Sequence, residues 1–114
     1  GYFLNVHEGP HAISKGNTVN LQEGMVVSNE PGYYEKNNFG IRIENLIYVK
    51  KNKKRNCFEN LTMAPIDKDL IDQQILNKNE KNWLNDYHKK VFYNLKRFMN
   101  KKEVLELRNS CSAI

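Results

Sequence analysis

The feature that most constrains the fold of this chain is a change of hydrophobic period near its midpoint. In the first half, apolar runs at residues 2–6, 25–27 and 41–49 are separated by turn-forming clusters at residues 9–10 and 37–40, a pattern typical of strands joined by turns. In the second half, apolar side chains recur every three or four residues. Strands followed by helices, without regular alternation, predict an α+β fold in which an antiparallel sheet precedes C-terminal helices.

Two capping boxes indicate where the helices begin. Asn77 is followed three residues later by Glu80, and Asn100 is followed in the same way by Glu103. In such a box the Asn side chain accepts from the third helical amide while the Glu side chain reaches back to the cap. The first helix has an apolar stripe, interpreted as core or subunit contact, and the second has a shorter one. The residues are Leu84, Tyr87, Val91, Leu95, Phe98 and Met99 in the first, and Val104, Leu105 and Leu107 in the second.

The chain is basic, with a formal net charge of +5 and a pI near 9.2, but most of its charges are scattered. One cluster, at residues 50–55, falls where a turn is expected and predicts a solvated hairpin loop. A phosphate-binding patch is the alternative interpretation, yet the cluster lacks the interleaved aromatic side chains of nucleic-acid sites. We therefore expect no nucleic-acid partner.

The cysteine count and the hydropathy pattern bear on the compartment. Cys57 and Cys111 are too few for a disulfide framework and lack metal-ligand spacing, which favours a reducing, cytoplasmic location. No apolar run is long enough for a bilayer-spanning helix, so no membrane partner is expected. Since the chain begins at Gly1 in an apolar run, we expect it to be a fragment of a longer protein.

A hairpin in the first half brings two glutamates together. If Tyr34 pairs with Gly40 across a turn at residues 35–39, Glu30 falls directly opposite Glu44 on the same face, with Cβ atoms about 4.5–5.5 Å apart. Like charges so placed repel, and their removal from water is costly. The arrangement therefore needs a compensating partner.

Three partners could compensate the carboxylate pair. A shared proton is one, the nearby Arg42 is another, and divalent cations are the third, since hard oxygen ligands suit Mn, Mg and Zn. Ile41 and Ile43 alternate with the polar residues and are expected to face the core. An exposed sheet face with scattered charges remains an alternative, and Pro31 indicates an edge or a bulge.

Three local strings resemble the C-terminal motifs of the aminopeptidase P family. They are Asn-Val-His-Glu-Gly-Pro at residues 5–10, Gly-Met-Val-Val-Ser-Asn-Glu-Pro-Gly-Tyr-Tyr at 24–34 and Phe-Gly-Ile-Arg-Ile-Glu-Asn at 39–45. Residues 61–65 and 83–88 resemble the C-terminal extension of the eukaryotic cytosolic type. The family belongs to the pita-bread metallopeptidases, with prolidase, creatinase and methionine aminopeptidase as relatives, so the resemblance implies a partial pita-bread fold. It further implies that residues 1–66 complete the catalytic domain and that 67–114 form a helical extension packing on it.

The resemblance assigns roles to four residues. It implies that Glu30 is a metal ligand and proton shuttle, that Glu44 bridges two metals, that His7 hydrogen-bonds the scissile carbonyl or developing oxyanion, and that Arg42 holds a ligand carboxylate in place. His11 and His88 match no functional position of the family and are interpreted as surface or packing residues.

The implied activity is metal-dependent hydrolysis of the N-terminal Xaa-Pro bond, releasing the first residue. Two divalent ions, Mn²⁺ in many family members, would serve as cofactors, with peptides that have proline in second position as substrates and a homodimer as the assembly. The family also needs two aspartates and a histidine upstream of this segment, so the fragment by itself is expected to be inactive. A non-catalytic pita-bread module that binds peptides or proteins is the alternative, which the retention of His7, Glu30 and Glu44 disfavours.

Overall fold

The structure, a computed structural model, describes Asn5 and residues 7–114. The strand predicted at residues 2–6 therefore lies outside the described residues, apart from Asn5. The chain divides into two compact units, one ending at Thr62 and the other running from Met63 to Ile114. Strands come first and helices follow, which confirms the predicted α+β class.

The first unit contains five short strands. They are β1 (Val26–Asn29), β2 (Gly32–Tyr34), β3 (Gly40–Arg42), β4 (Asn45–Asn52) and β5 (Arg55–Asn60). β1, β4 and β5 form a three-stranded sheet in the order β1-β4-β5, while β2 and β3 form a separate two-stranded ladder. Every pairing is antiparallel, as predicted.

The β2–β3 ladder is the tip of the predicted hairpin. Tyr34 lies opposite Gly40, and Gly32 lies opposite Arg42. The connecting residues 35–39 form a turn in which the amide of residue 35 donates to the carbonyl of residue 39 over 2.8 Å, and Asn37 has a φ of 60°, which Asn tolerates better than most residues. The predicted turn and pairing are confirmed.

The core of the sheet is small and excludes the two isoleucines expected to join it. Val27, Ile47 and Val49 are buried, whereas Ile41 is 39% exposed and Ile43 is 49% exposed. Alternation along a strand assigns two residues to the same face but does not supply a layer that covers that face. The predicted core role of Ile41 and Ile43 is wrong for the described chain, because the short β2–β3 ladder extends past the buried part of the sheet.

The basic cluster forms the turn between β4 and β5. Lys53 occupies the turn with a φ of 55°, and Lys50 at the end of the hairpin pairs with Glu59 across the strands over 3.2 Å. The solvated hairpin loop is confirmed. β5 itself was not predicted, because Arg55–Asn60 carries no β-branched residue; six residue pairs with β4 hold it in place.

The second unit is helical. Helix α1 spans Lys78–Leu95, a 3₁₀ turn follows at Lys96–Phe98, and helix α2 spans Lys101–Ser110. Both predicted capping boxes are present, with Asn77 and Asn100 each accepting from two amides of the first turn. Among the described residues, no helix is both long and apolar enough to cross a membrane.

The apolar stripe of α1 forms the core of this unit, with one exception. Leu84, Tyr87 and Val91 are buried and pack with Leu107 of α2, whereas Phe98 is 74% exposed. Phe98 lies in the 3₁₀ turn beyond the end of α1 and outside the core cluster of the described residues. Phe98 therefore does not belong to the core of the described residues; a subunit contact, the other interpretation of the stripe, stays a prediction.

His88 is a packing residue of the second unit. It is fully buried, and its Nε2 accepts a hydrogen bond of 3.1 Å from the amide of Ile66. The neighbouring hydroxyl of Tyr87 donates to the carbonyl of Ala64 over 2.7 Å. These two contacts attach the extended segment before α1 to the helix.

Candidate metal centre

The hairpin keeps one register across the gap between its two ladders. The β1–β4 pairing ends with Asn29 opposite Asn45, and the amide of Ile43 donates to the carbonyl of Pro31 over 3.2 Å. Both pairs have the same offset as the β2–β3 ladder. The single position left between them on each strand is a glutamate, so the register places Glu30 opposite Glu44 as predicted.

Glu30 is contacted on both carboxylate oxygens. The Ser28 hydroxyl donates to Oε1 over 2.7 Å, and Arg42 Nη1 donates to Oε2 over 2.9 Å. Nε2 of His7 lies 3.4 Å from Oε1. Each carboxylate oxygen has two acceptor sites, so these contacts orient Glu30 while leaving capacity for a further ligand.

Arg42 is shared by the two carboxylates. Nη1, which bonds Glu30, also lies 3.9 Å from Oε2 of Glu44, and Nε donates to the hydroxyl of Tyr34 over 2.9 Å. The guanidinium thus offsets the repulsion that the carboxylate pair creates. Of the three compensations considered from the sequence, the arginine is the one seen directly between the side chains.

Two glycines create the space in which Tyr34 reaches Arg42. A Cβ placed on Gly40 would lie 2.6 Å from Cδ1 of the Tyr34 ring, and one on Gly32 would lie 2.9 Å from its Cε2 and hydroxyl oxygen. The ring therefore lies across both glycine positions, closer than any side chain would allow. Gly32 and Gly40 are required here for this close approach.

The surroundings of Glu30 favour its charged form. The hydrogen bond from Ser28 is the main cause that lowers the pKa of Glu30 below its ordinary 4.5; partial burial opposes this, and the nearby His7 and Arg42 reinforce it. A carboxylate that receives hydrogen bonds and faces cations is stabilised as an anion. Glu30 is therefore an anionic oxygen donor at neutral pH.

A cavity lies beside this carboxylate. It has a volume of about 480 Å³ and is lined by residues 7–13 and 26–31, so His7 and Glu30 both border it. His11 borders it too, with Nε2 3.1 Å from the carbonyl oxygen of Val26. The three side chains His7, His11 and Glu30 thus belong to residues that line one cavity.

The donor chemistry of the site fits part of a hard-cation centre. Glu30 and Glu44 offer carboxylate oxygens on one face, which are the ligands that Mn²⁺ and Mg²⁺ prefer. Among the described residues, no group of three or more His, Cys, Asp or Glu side chains lies close enough together to hold a metal ion. These two glutamates can therefore contribute to a metal site but do not form one by themselves.

The structure brings together the four site residues predicted from the sequence, and adds neighbours that were not predicted. His7, Glu30, Arg42 and Glu44 lie within a chain of contacts of 4 Å or less. Ser28, Tyr34 and His11 were missed. Strand alternation was a usable signal for Ser28, two residues before Glu30, whereas the contacts of Tyr34 and His11 depend on tertiary packing.

Both halves of the chain match known protein families. Residues 1–51 match the family described as metallopeptidase family M24, and residues 54–114 match the C-terminal region of peptidase M24. The second match alone spans more than half of the chain.

Two proteins similar to this chain carry aminopeptidase names. The Laccaria bicolor protein named Probable Xaa-Pro aminopeptidase P is 50% identical over 99 residues, which cover 77% of this chain and 15% of that protein. Xaa-Pro aminopeptidase 1 of Dictyostelium discoideum is 49% identical over 100 residues, which cover 80% of this chain and 16% of that protein. The chain thus spans less than a fifth of the length of these relatives.

A solved structure has the same fold. The crystal structure of X-prolyl aminopeptidase from Caenorhabditis elegans, described as a cytosolic enzyme with a dinuclear active site, matches with a TM-score of 0.78 and 35% identity, covering 98% of this chain and 20% of that one. This match confirms the predicted aminopeptidase P fold for these residues. Together with the two family matches, it shows that this chain belongs to the metallopeptidase family M24.

Proposed function

We propose that this chain is the C-terminal part of a Xaa-Pro aminopeptidase that hydrolyses the bond between an N-terminal residue and a following proline and releases the first residue. The observation that carries the proposal is the placement of Glu30 opposite Glu44 around one guanidinium. The names of the similar proteins support the same reaction. Peptides with proline in second position are then the substrates.

Glu30 and Glu44 would be ligands of two divalent cations, with Glu44 as the ligand that both ions share. When bound, such ions acidify water and polarise a carbonyl oxygen. The dinuclear site named for the Caenorhabditis elegans enzyme supports two ions, and carboxylate ligands suit Mn²⁺. Arg42 holds both carboxylates in position and limits their mutual repulsion.

His7 and Glu30 are proposed to act on the substrate from the edge of the cavity. Glu30 is anionic at neutral pH, so it can accept a proton from the attacking water and deliver it to the leaving proline nitrogen. The imidazole of His7 lies 3.4 Å from Glu30 and can donate to the carbonyl oxygen as negative charge develops there. Both side chains belong to residues that line the cavity.

We further propose a domain division, an assembly and a location. Residues 1–66 would complete the catalytic domain and 67–114 would form its helical extension; the change of compact unit at residues 62–63 supports a boundary in this region. The proposed assembly is a homodimer. The cytosolic location of the Caenorhabditis elegans enzyme supports a cytoplasmic one for this chain.

Substitution of the bridging carboxylate tests the proposal. In the complete enzyme loaded with Mn²⁺, Glu44→Gln removes an anionic ligand while keeping the size of the side chain. We expect the rate of Xaa-Pro cleavage to fall at least about 100-fold, since loss of a bridging ligand removes more than a supporting contact, which is worth about 10–100-fold. Cleavage of a proline-containing peptide and metal content by elemental analysis are the measurements.

Glu35→Gln is the matched control, because Glu35 lies in the turn of the same hairpin and its carboxylate accepts a hydrogen bond from the Asn38 side chain. It should retain the activity and metal content of the wild type. Retention of full activity by Glu44→Gln, or no Xaa-Pro cleavage by the metal-loaded wild type, would contradict the proposed function.

A further inference from the structure

The segment that carries His7 needs an attachment to the strand that leads to Glu30. Residues 7–17 contain no helix or strand, yet His7 approaches Glu30 to 3.4 Å. Within the segment, the Asn17 side chain donates to the carbonyl of Pro10 over 2.9 Å, which closes residues 10–17 on themselves. The closed loop must still be joined to β1 if His7 is to stay in place.

His11 provides such an attachment. Its Nε2 lies 3.1 Å from the carbonyl oxygen of Val26, at the start of the strand that ends one residue before Glu30. In the ladder with β4, the carbonyl of Met25 accepts from Val49, so by alternation the carbonyl of Val26 points to the opposite edge of β1. His11 therefore binds β1 on the edge that β4 does not use.

The geometry determines which nitrogen of His11 carries a proton. A carbonyl oxygen only accepts, so Nε2 must be the donor, and the neutral ring then has its lone pair on Nδ1. Nδ1 is buried and has no hydrogen-bond partner among the described residues. Among the described residues, the hydrogen bond of the ring is therefore the one to Val26.

We propose that His11 is a positioning residue that holds the segment bearing His7, residues 7–17, against β1, so that the His7 imidazole stays at the carbonyl-binding position beside Glu30. This inference rests on the proposed function for the role of His7. Because His7 acts on charge that develops in the transition state, its displacement should lower kcat more than it raises KM. A misplacement of about 1 Å can cost on the order of 100-fold.

The test compares two substitutions of His11 in the complete metal-loaded enzyme. In His11→Gln the side-chain amide occupies the position of Nε2 and can donate to Val26, whereas His11→Leu has similar bulk and no donor. We expect His11→Leu to lower kcat about 10–100-fold with little change in KM, and His11→Gln to stay within about threefold of wild type. Lys15→Leu, an exposed change in the same loop, should have no effect.

A double-substitution cycle separates positioning from general support of the fold. If His11 acts through His7, then His11→Leu should change kcat by less than about twofold in a His7→Ala background, because the two losses are coupled. Independent, multiplicative losses would overturn the proposal. Failure of His11→Gln to restore kcat, or wild-type kcat in His11→Leu, would overturn it as well.

Hydrogen exchange gives a readout that does not depend on activity. Amides of residues 7–13 should exchange faster in His11→Leu than in wild type or His11→Gln, since the loop opens locally when its attachment is lost. Unchanged exchange in His11→Leu would overturn the positioning role.

The exchange measurement also separates failure of this inference from failure of the proposed function. If the wild-type enzyme cleaved no Xaa-Pro bond, the proposed function would fail, but the exchange rates would still test whether His11 holds the segment against β1. Should His11→Leu not fold, His11→Asn, whose shorter amide cannot reach Val26, takes its place.

Discussion

At the scale of single residues, His88 shows how burial governs a titratable group. The imidazole is fully buried and accepts from the amide of Ile66 through Nε2. Burial is the main cause that lowers the pKa of His88 below its ordinary 6.5, and the nearby Lys68 lowers it further. The neutral ring is therefore part of the folded state of the helical unit.

This lowered pKa predicts a loss of stability in mild acid. The unfolded chain binds a proton at His88 more readily than the folded chain does, so the stability that depends on the neutral ring is fully present above pH 6.5 and is lost as the pH falls below it towards the lowered pKa. We expect the Tm to decrease between pH 7 and pH 5. His88→Gln, whose amide oxygen can accept from Ile66, should flatten this dependence.

Thermal unfolding followed by circular dichroism at several pH values is the measurement. The decisive quantity is the change of Tm with pH, compared between the wild type and His88→Gln. An equal slope in both proteins would assign the acid sensitivity to other groups and contradict the prediction.

At the scale of elements, α1 illustrates the limit of a periodic pattern. The stripe holds as far as the helix does, and Leu84 and Val91 are buried as the period requires. The α-helix then ends and a 3₁₀ turn follows at Lys96–Phe98, where Phe98 is 74% exposed although it continues the apolar spacing. The apolar pattern thus continues past the end of the helix, whereas the buried stripe does not include Phe98.

Truncation of two stripe residues distinguishes the buried part from the exposed part. Leu84→Ala removes packed atoms from the core and should reduce the free energy of unfolding by about 2–5 kcal/mol. Phe98→Ala, at a residue that is 74% exposed, should change it by less than about 0.5 kcal/mol. Urea denaturation of the two variants measures both values, and similar losses for the two would contradict the structural assignment.

At the scale of the whole molecule, the carboxylate pair is one part of the proposed metal site. The two glutamates and Arg42 lie on one hairpin, and the described residues contain no cluster of three potential metal ligands. The family resemblance implies that two aspartates and a histidine upstream of this segment would complete the centre. A metal site built from several strands depends on the fold that holds those strands together.

We expect a protein consisting only of these 114 residues to bind Mn²⁺ weakly and to lack Xaa-Pro peptidase activity. A cation supplied below its Kd adds less than about 0.4 kcal/mol to the free energy of unfolding. Denaturation with and without Mn²⁺ measures this change. The control is Glu44→Gln, whose free energy of unfolding should change with Mn²⁺ by as little as that of the wild type. Rapid cleavage by a preparation free of contaminating peptidase would overturn the expectation.

Much of the local structure could be predicted because its causes are local. The two capping boxes at Asn77 and Asn100 bring together groups three residues apart, and the hairpin register around residues 35–39 follows from its turn. β5 and the exposure of Ile41 could not be predicted in this way. The first depends on pairing with β4, and the second on whether another layer covers the ladder.

The sequence by itself determined the α+β order, the caps, and the pairing that sets Glu30 opposite Glu44, because each depends on neighbours along the chain or on one hairpin. Only the tertiary structure decided that Arg42 lies between the two carboxylates, that Tyr34 crosses Gly32 and Gly40 to reach it, and that His11 binds β1. Hydrogen bonds and ring contacts of this kind act over a few ångströms in space, and separation along the chain does not specify them.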